Sequence, residues 1–312
     1  MPEISVVIPV YRAEACLDEL YARLTAALSS VTPDYEVILV EDCGGDRSWD
    51  IITALSRRDP RVIGLRLSRN FGQHYAITAG LDHCHGRWTV VMDCDLQDPP
   101  EGIPELWKKA QEGYDIVLAL RSVRSDPALK RMISWGFYQV FSFLTDVRFD
   151  GRVRNFRIMS RKVVLAVRSL REQLRFFAAL VDWTGFKTAA IGVRHDARTH
   201  GRSTYTYAKL LRLGIDTIVA YSDKPLRLAI QFGFIVAGLS MLAGVWFAAK
   251  VWLFGSPMLG WTSMIVSLYF LSGLIISILG LNGLYLGKVF NETKKRPLYL
   301  IADSTVAVEP EP

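Results

Sequence analysis

The chain has 312 residues, half of them hydrophobic, with positive mean hydropathy and a formal net charge of +6. That length suits one large or two ordinary soluble domains. Its four cysteines, Cys16, Cys43, Cys84 and Cys94, show neither metal-ligand spacing nor pairing, which argues against a thiolate metal centre and a disulfide framework and leaves free thiols.

The run Ile4-Ser5-Val6-Val7-Ile8-Pro9-Val10 is rich in β-branched residues and reads as a first strand; no basic n-region precedes it, so no signal peptide is expected. Residues 15–29 place Leu17, Leu20, Leu24 and Leu28 at helical spacing. A second strand over 35–40 ends at Glu41-Asp42. A helix over 48–57, a strand over 62–67, a helix over 75–84 and a fourth strand over 88–92 follow, then a helix over 103–111 and a strand over 115–120. The alternation predicts an α/β domain with a mostly parallel sheet and right-handed crossovers. Tyr11-Arg12-Ala13 stands where a Gly-x-Gly-x-x-Gly would follow the first strand, and there is no Walker loop. A nucleotide would therefore be gripped by side chains and a metal rather than by a glycine-rich cradle. Residues 127–144 read as an aromatic-rich helix with Trp135, Phe137, Tyr138, Phe141 and Phe143, either part of a core or lying in a membrane interface. A similar helical pattern covers 207–221.

Between Arg148 and Arg175 there are nine Lys or Arg and two acids. Ahead of a membrane segment, such a stretch is expected to face anionic headgroups or a lipid phosphate rather than nucleic acid. No charged residue occurs over 228–249 or 251–287, with Lys250 alone between them. Each run exceeds the ~20 apolar residues a bilayer crossing needs, and Phe254-Gly255-Ser256-Pro257 breaks the pattern. Two transmembrane helices over about 228–253 and 262–287 are expected to form a hairpin; a buried helix pair is the alternative. Lys224 and Arg227 precede the hairpin, and Lys288, Lys294, Lys295 and Arg296 follow it. The positive-inside rule then places a catalytic domain over 1–225 and a tail over 289–312 in the cytoplasm, around a membrane segment over 226–288 in the inner (cytoplasmic) membrane. The tail after Leu300 ends in Glu-Pro-Glu-Pro and is expected to be disordered. Gly283-x-x-x-Gly287 permits close helix packing, within the hairpin or in a homo-oligomer.

The most informative stretch is Asp93-Cys94-Asp95-Leu96-Gln97-Asp98-Pro99-Pro100, directly after the apolar run over 88–92. A buried strand ending in closely spaced carboxylates offers oxygen ligands at a sheet edge, where α/β proteins bind ligands and where a hard divalent cation finds its donors. Such a cation would hold the diphosphate of a sugar nucleotide. The bland alternative is a helix cap, since Asp98-Pro99-Pro100-Glu101 would also begin a Pro-initiated helix.

Further blocks stand beside this motif: Pro9-Val10-Tyr11, Glu41-Asp42, Arg69-Asn70-Phe71-Gly72-Gln73-His74, Arg121 and Arg124, and His200-Gly201-Arg202-Ser203-Thr204-Tyr205. Together they resemble the GT-A-fold, family-two polyprenyl-phosphate glycosyltransferases, a group that includes dolichol-phosphate mannose synthases, undecaprenyl-phosphate glucosyltransferases and aminoarabinose-lipid transferases. The resemblance runs to about residue 300. It implies a GT-A domain followed by juxtamembrane amphipathic helices and the two-helix hairpin. It implies inverting transfer of a sugar, from a UDP-sugar by expectation, to a polyprenyl phosphate, with Mg2+ or Mn2+ as cofactor. Position by position, Asp95 and Gln97 match metal ligands, and Asp93 matches the first acid of the motif, beside metal and nucleotide. Asp42 matches the acid that reads the base, with Pro9 and Tyr11 in the nucleotide pocket. Arg121 and Arg131 match residues that grip the acceptor phosphate, Ser134 a nearby hydroxyl, and Arg202 a loop closing over the diphosphate.

Three departures stand out. Tyr-Asn-Glu is usual where this chain has Tyr11-Arg12-Ala13, and Glu14, the nearest substitute, leaves the chain one residue later. Gly-Asp-Phe-Arg is frequent where Arg154-Asn155-Phe156-Arg157 stands, so no catalytic role transfers from that Asp. Thr204 stands where a Lys often follows Ser. Chemically, the acceptor is already anionic and needs no strong base. A divalent cation at Asp93, Asp95 and Gln97 would answer the leaving group, and guanidinium forks at 121, 131 and 202 would answer the charge. His74 and His200 read as packing and loop residues rather than proton carriers. An inactive scaffold retaining the fold is the competing reading, against which the intact acidic motif argues. A processive synthase would bring more membrane helices and a Gln-x-x-Arg-Trp segment, which is absent.

Overall fold

The computed structural model describes residues 1–121, 153–193, 222–254 and 260–307. These fall into two compact units, one made of the described residues up to 193 together with 296–307, the other of 222–254 and 260–295.

The first unit is an eight-stranded sheet between two helical layers. Its strands are β1 (Ile4–Val10), β2 (Tyr35–Glu41), β3 (Val62–Leu67), β4 (Trp88–Val91), β5 (Ile116–Arg121), β6 (Val153–Ser160), β7 (Thr188–Val193) and β8 (Ile301–Ser304). Its helices are α1 (Leu17–Ser29), α2 (Ser48–Arg58), α3 (Gln73–Asp82), α4 (Ile103–Ala110), α5 (Arg161–Ser169) and α6 (Phe177–Trp183). The sheet order is β7-β5-β6-β4-β1-β2-β3-β8. Strands β1 to β5 and β7 run in one direction; β6 and β8 are antiparallel to their neighbours. The predicted mostly parallel α/β sheet is thus present.

Alternation along β1 builds both layers. Ile4, Val6, Ile8 and Val10 join a core with Leu17, Leu20 and Leu24 of α1 and Ile52 of α2. Val7 points the other way, into a core with Ile77 and Leu81 of α3, Val163 and Val167 of α5, and Phe177 of α6. Gly80 lets α3 approach β1, because a Cβ at that position would collide with the Val7 side chain. Pro9 sits inside a central strand, where a missing N–H normally breaks the ladder. The Met92 amide donates to the Val7 carbonyl, so the odd residues of β1 address β4, and β4 has ended at the Val7–Val91 pair. Pro9 therefore costs no ladder bond.

Two expectations need revision. Not all of the basic stretch faces outward: Arg157 is fully buried and Arg175 nearly so, whereas Lys162 and Arg171 are exposed. Arg157 lies over the Phe177 ring at 4.9 Å, and Arg161 donates to the Cys84 carbonyl at 2.6 Å. Val153–Ser160 is a strand in which Arg157 lies within the buried run Phe156–Met159. The tail after Leu300 is not all disordered either. Ile301–Ser304 pairs antiparallel with β3, covering what would otherwise be an exposed sheet edge.

In the second unit, α7 (Lys224–Phe254) and α8 (Trp261–Thr293) match the predicted hairpin helices. Each is long and apolar enough to span a membrane, and none of the apolar window is buried within the protein, which removes the buried-pair alternative. Tyr285 of α8 donates to the Ser222 carbonyl just ahead of α7 at 2.7 Å, joining the ends an antiparallel hairpin brings together. A Cβ added at Gly283 or Gly287 would meet nothing within 4 Å, so contact between α7 and α8 does not explain that small-residue pair. The helical patterns over 127–144 and 207–221 lie outside the described residues.

Candidate active site

The parallel strands deliver the sequence-predicted residues to one edge. Tyr11 follows β1, Asp42 follows β2, Arg69 comes two residues after β3, Asp93 two residues after β4, and Arg121 closes β5. The strand order turns between β1 and β4, and ligands of open α/β sheets bind in the crevice at such a switch point. Tyr11 stands there 44% exposed, with the Arg12 guanidinium 5.4 Å from its ring centre.

The acidic motif forms a loop anchored by its one apolar residue. Leu96 is buried in the α1/α4 core and adopts φ 57°, a left-handed conformation that costs a branched side chain about 1–2 kcal/mol. That turn leaves Asp95 and Gln97, on either side, half-buried at the edge. The Gln97 backbone N–H donates to Asp95 Oδ1 at 3.2 Å. Asp98 is buried, and the helical turn Pro100–Gly102 begins after Pro99. Glu101 leaves the motif in a two-pronged pair with Arg23 of α1, at 2.8 Å on each prong. Cys94 lies within the motif; the Cys16 thiol donates to its carbonyl at 3.1 Å, and all four cysteines are free.

Asp93 accepts two side-chain amides on one oxygen: Gln73 Nε2 at 2.7 Å and Asn155 Nδ2 at 3.0 Å. Neither residue was assigned a role by sequence reasoning. The signal for Asn155 was its departure from Gly-Asp-Phe-Arg; Gln73 lay within the quoted Arg-Asn-Phe-Gly-Gln-His block. Beneath them, burial lowers Arg157 to about 10, against the pull of Asp182 and Asp93. It remains a cation at neutral pH.

Asp42 is buried, and burial raises its pKa above the ordinary carboxylate value. Its two oxygens accept the amides of Phe71 and Gly72 at 2.7 and 2.8 Å, so it holds the loop that starts α3. Gly72 takes φ 107° to present that amide, a conformation open to glycine and strained for other residues. The helix accordingly starts at Gln73, two residues earlier than predicted. Arg69 packs on Phe71 at 4.2 Å in the same loop.

His74 packs edge-on against Phe176 at 5.2 Å and accepts the Phe177 amide on Nδ1 at 3.5 Å. Burial, followed by the charges of Arg175 and Arg157, lowers its pKa to about 4. The imidazole is neutral at pH 7 and too weakly basic to serve as a proton acceptor there. Because the unfolded chain takes up this proton near pH 6.5 and the folded one only near 4, stability is lost as pH falls between those values. The drop in Tm from pH 7 to pH 5 is expected to be roughly 4–7 °C smaller in His74→Gln than in the unsubstituted protein. Equal drops in thermal scans would refute this.

The loops after β1 and β2 are laced together. Arg12, at φ 52°, donates to the Gly44 carbonyl at 3.0 Å, and Ala13 donates to Ser48 at 3.1 Å. Glu14 accepts the Arg47 amide at the start of α2 at 2.9 Å. That bond ties Glu14 to the start of α2. Arg131, Ser134, Arg202 and His200 lie outside the described residues, and only the backbone of Arg121 is described.

Among the described residues no group of three His, Cys, Asp or Glu side chains gathers as a metal centre. The acidic loop carries two carboxylates, Asp93 and Asp95, and the Gln97 side-chain carbonyl, all hard oxygens. It fits a cation such as Mg2+, which binds through one or two carboxylates plus substrate phosphates and retains water.

The family model described as "Glycosyl transferase family 2" matches residues 5–167. The chain belongs to this family. Glycosyl transferase family 2 accounts for the sheet and for the placement of the acidic motif. The chain is 39% identical over 304 residues to an uncharacterized glycosyltransferase, YkcC, of Bacillus subtilis (strain 168), covering 97% of this chain and 94% of the relative. It is 37% identical over 300 residues to the bactoprenol glucosyl transferase of Shigella phage SfX, covering 96% and 98%. Among solved structures, glucosyl-3-phosphoglycerate synthase from Mycobacterium tuberculosis, in complex with Mn2+, UDP and phosphoglyceric acid, superposes with a TM-score of 0.51 at 15% identity, covering 70% of this chain and 77% of that one. That likeness supports the GT-A-type fold. The chain is a glycosyltransferase with a GT-A-type domain and two apolar helices.

Proposed function

We propose that this glycosyltransferase moves a sugar from a UDP-sugar to a polyprenyl phosphate at the cytoplasmic membrane face, with inversion at the anomeric carbon. The observation that carries the reading is the Asp93–Gln97 loop at the β1/β4 switch point, on the same sheet edge as Arg121, in a chain with two exposed apolar helices. The near full-length similarity to a bactoprenol glucosyl transferase supports the lipid acceptor. An acceptor phosphate oxygen attacks the anomeric carbon, the carbon–oxygen bond to the diphosphate breaks, and UDP departs with the electron pair. The attacking oxygen is already anionic, which agrees with a site whose histidine stays neutral. Asp93, Asp95 and Gln97 would hold Mg2+ or Mn2+ against the diphosphate. The cation, when bound, supplies Lewis acidity to the leaving group. Tyr11 offers an exposed ring to the base. Asp42 fixes the loop above it, and its remaining lone pairs leave room for the base-reading role implied by resemblance.

Arg121 and Arg131 are assigned to the acceptor phosphate and Arg202 to the diphosphate. Arg121→Lys keeps the charge and loses the fork. The KM for undecaprenyl phosphate is expected to rise by about tenfold while UDP affinity stays within about twofold. Asp42→Ala should do the reverse. Weakened UDP binding with unchanged lipid kinetics in Arg121→Lys would move that arginine to the donor site.

The tail rejoins the catalytic unit after α8. With two crossings, both hairpin ends then lie on that unit's side of the membrane, and the flanking lysines and arginines make that side the cytoplasm. Cysteines placed at Ser256 and Val306, without the native thiols, are expected to react with an impermeant reagent in intact cells at 256 only. Labelling at 306 alone would reverse the orientation.

A further inference from the structure

We propose that Gln73 and Asn155 are positioning residues that jointly hold Asp93 in the orientation its ligand requires. Asp93 lies in a loop outside the sheet ladders, so its backbone alone does not fix its carboxylate. Two side chains from separate elements converge on Oδ1: Gln73, the first residue of α3, at 2.7 Å, and Asn155, in β6, at 3.0 Å. Each element is itself anchored. The α3 start is pinned by the Phe71 and Gly72 amides on Asp42, and β6 is paired with both β4 and β5 up to Arg157, two residues from Asn155, where the β5 register shifts.

The chemistry of the two donors matters as much as their geometry. An amide N–H orients a carboxylate without cancelling its charge, whereas Lys or Arg in the same place would compete with the cation that charge is meant to attract. A carboxylate at 155 would place a second anion about 3 Å from Asp93 and force the pair toward sharing a proton. Asn155 avoids this, so residue 155 here donates a hydrogen bond rather than accepting a proton. Partners of this kind typically alter metal affinity by about 10- to 100-fold.

The inference rests on the metal reading of the motif, and the test separates the two. UDP binding to the full-length protein in detergent is measured by calorimetry with Mn2+ and with EDTA. The variants are Gln73→Ala, Asn155→Ala, Asp93→Asn, and each alanine combined with Asp93→Asn. Each alanine substitution is expected to weaken Mn2+-supported UDP binding by about tenfold and to cost less than about twofold once Asp93 is already Asn. Equal losses in both backgrounds, or no loss in either, would overturn the positioning role. Gln73 is exposed, so if Asn155→Ala fails to fold, the cycle through Gln73 decides the matter. If the unsubstituted protein binds UDP equally well in EDTA, the metal reading falls. The same cycle run on UDP affinity in EDTA then decides whether the two amides act through Asp93.

Discussion

Asp95→Asn is expected to lower sugar transfer by at least ~10²-fold, about 2.7 kcal/mol of transition-state stabilisation, without unfolding the protein. The substitution keeps the shape of the side chain. An Asn carbonyl can still accept the Gln97 backbone N–H that Asp95 Oδ1 accepts at 3.2 Å, and Leu96 still anchors the loop from inside the core. What changes is one unit of negative charge on a half-buried group at the sheet edge, where a divalent cation would gather the diphosphate. Removing a charged ligand weakens the cation and with it the stabilisation of the departing oxygen. The measurement is transfer to undecaprenyl phosphate under saturating Mn2+, with circular dichroism to verify the fold. Near-normal turnover in the variant, or full activity of the unsubstituted protein in EDTA, would remove the metal from this reading.

The sheet was legible where periodicity and parallel topology coincide. From β1 to β4 each strand is a short apolar run followed by a helix of 3.6-residue spacing, and the boundaries from β1 to β5 fall within two residues of those predicted. The region from 153 to 193 was opaque for a physical reason. Val153–Ser160 interleaves arginines with apolar residues, and a buried Arg157 stacked on Phe177 looks, in sequence, like a surface charge. Burial of that guanidinium depends on Asp182 and Asp93, which approach it only once the chain has folded. The candidate site divides in the same way. Asp93, Asp95 and Gln97 announce themselves because carboxylates after an apolar run are costly without a purpose. The two amides on Asp93 carry no such signal, since Gln and Asn are ordinary surface residues until their distance to a carboxylate is known. Asp42 was legible as a site residue, but its hold on the Phe71 and Gly72 amides follows from tertiary contact alone.

A chain ending after Pro297 is expected to lose roughly 4 kcal/mol or more of stability, although the sequence of its tail suggests little structure. Leu298 and Tyr299 are 9% and 6% exposed and join the core beneath α3; burying such side chains contributes ~1.5–3 kcal/mol each. The Tyr299 hydroxyl donates to Asp82 at 2.9 Å, a buried carboxylate also approached by Arg171 at 2.7 Å and Arg168 at 3.5 Å. Backbone bonds continue the seal: Ser68 to the Leu300 carbonyl at 2.8 Å and Thr305 to the Gly64 carbonyl at 3.0 Å. Each contributes a net ~0.5–1.5 kcal/mol. Short length and the acidic, Pro-containing end hide this strand in the sequence, because its pairing partner β3 lies more than two hundred residues away. A loss of this size should lower the Tm of the purified protein by about 8–16 °C, and the uncovered β3 edge should promote aggregation. Tyr299→Phe isolates the hydrogen bond and should cost about 1–2 kcal/mol. An unchanged Tm after truncation would mean that the strand decorates the sheet without supporting it, and the tail would then hold the α8 end to the catalytic unit only weakly.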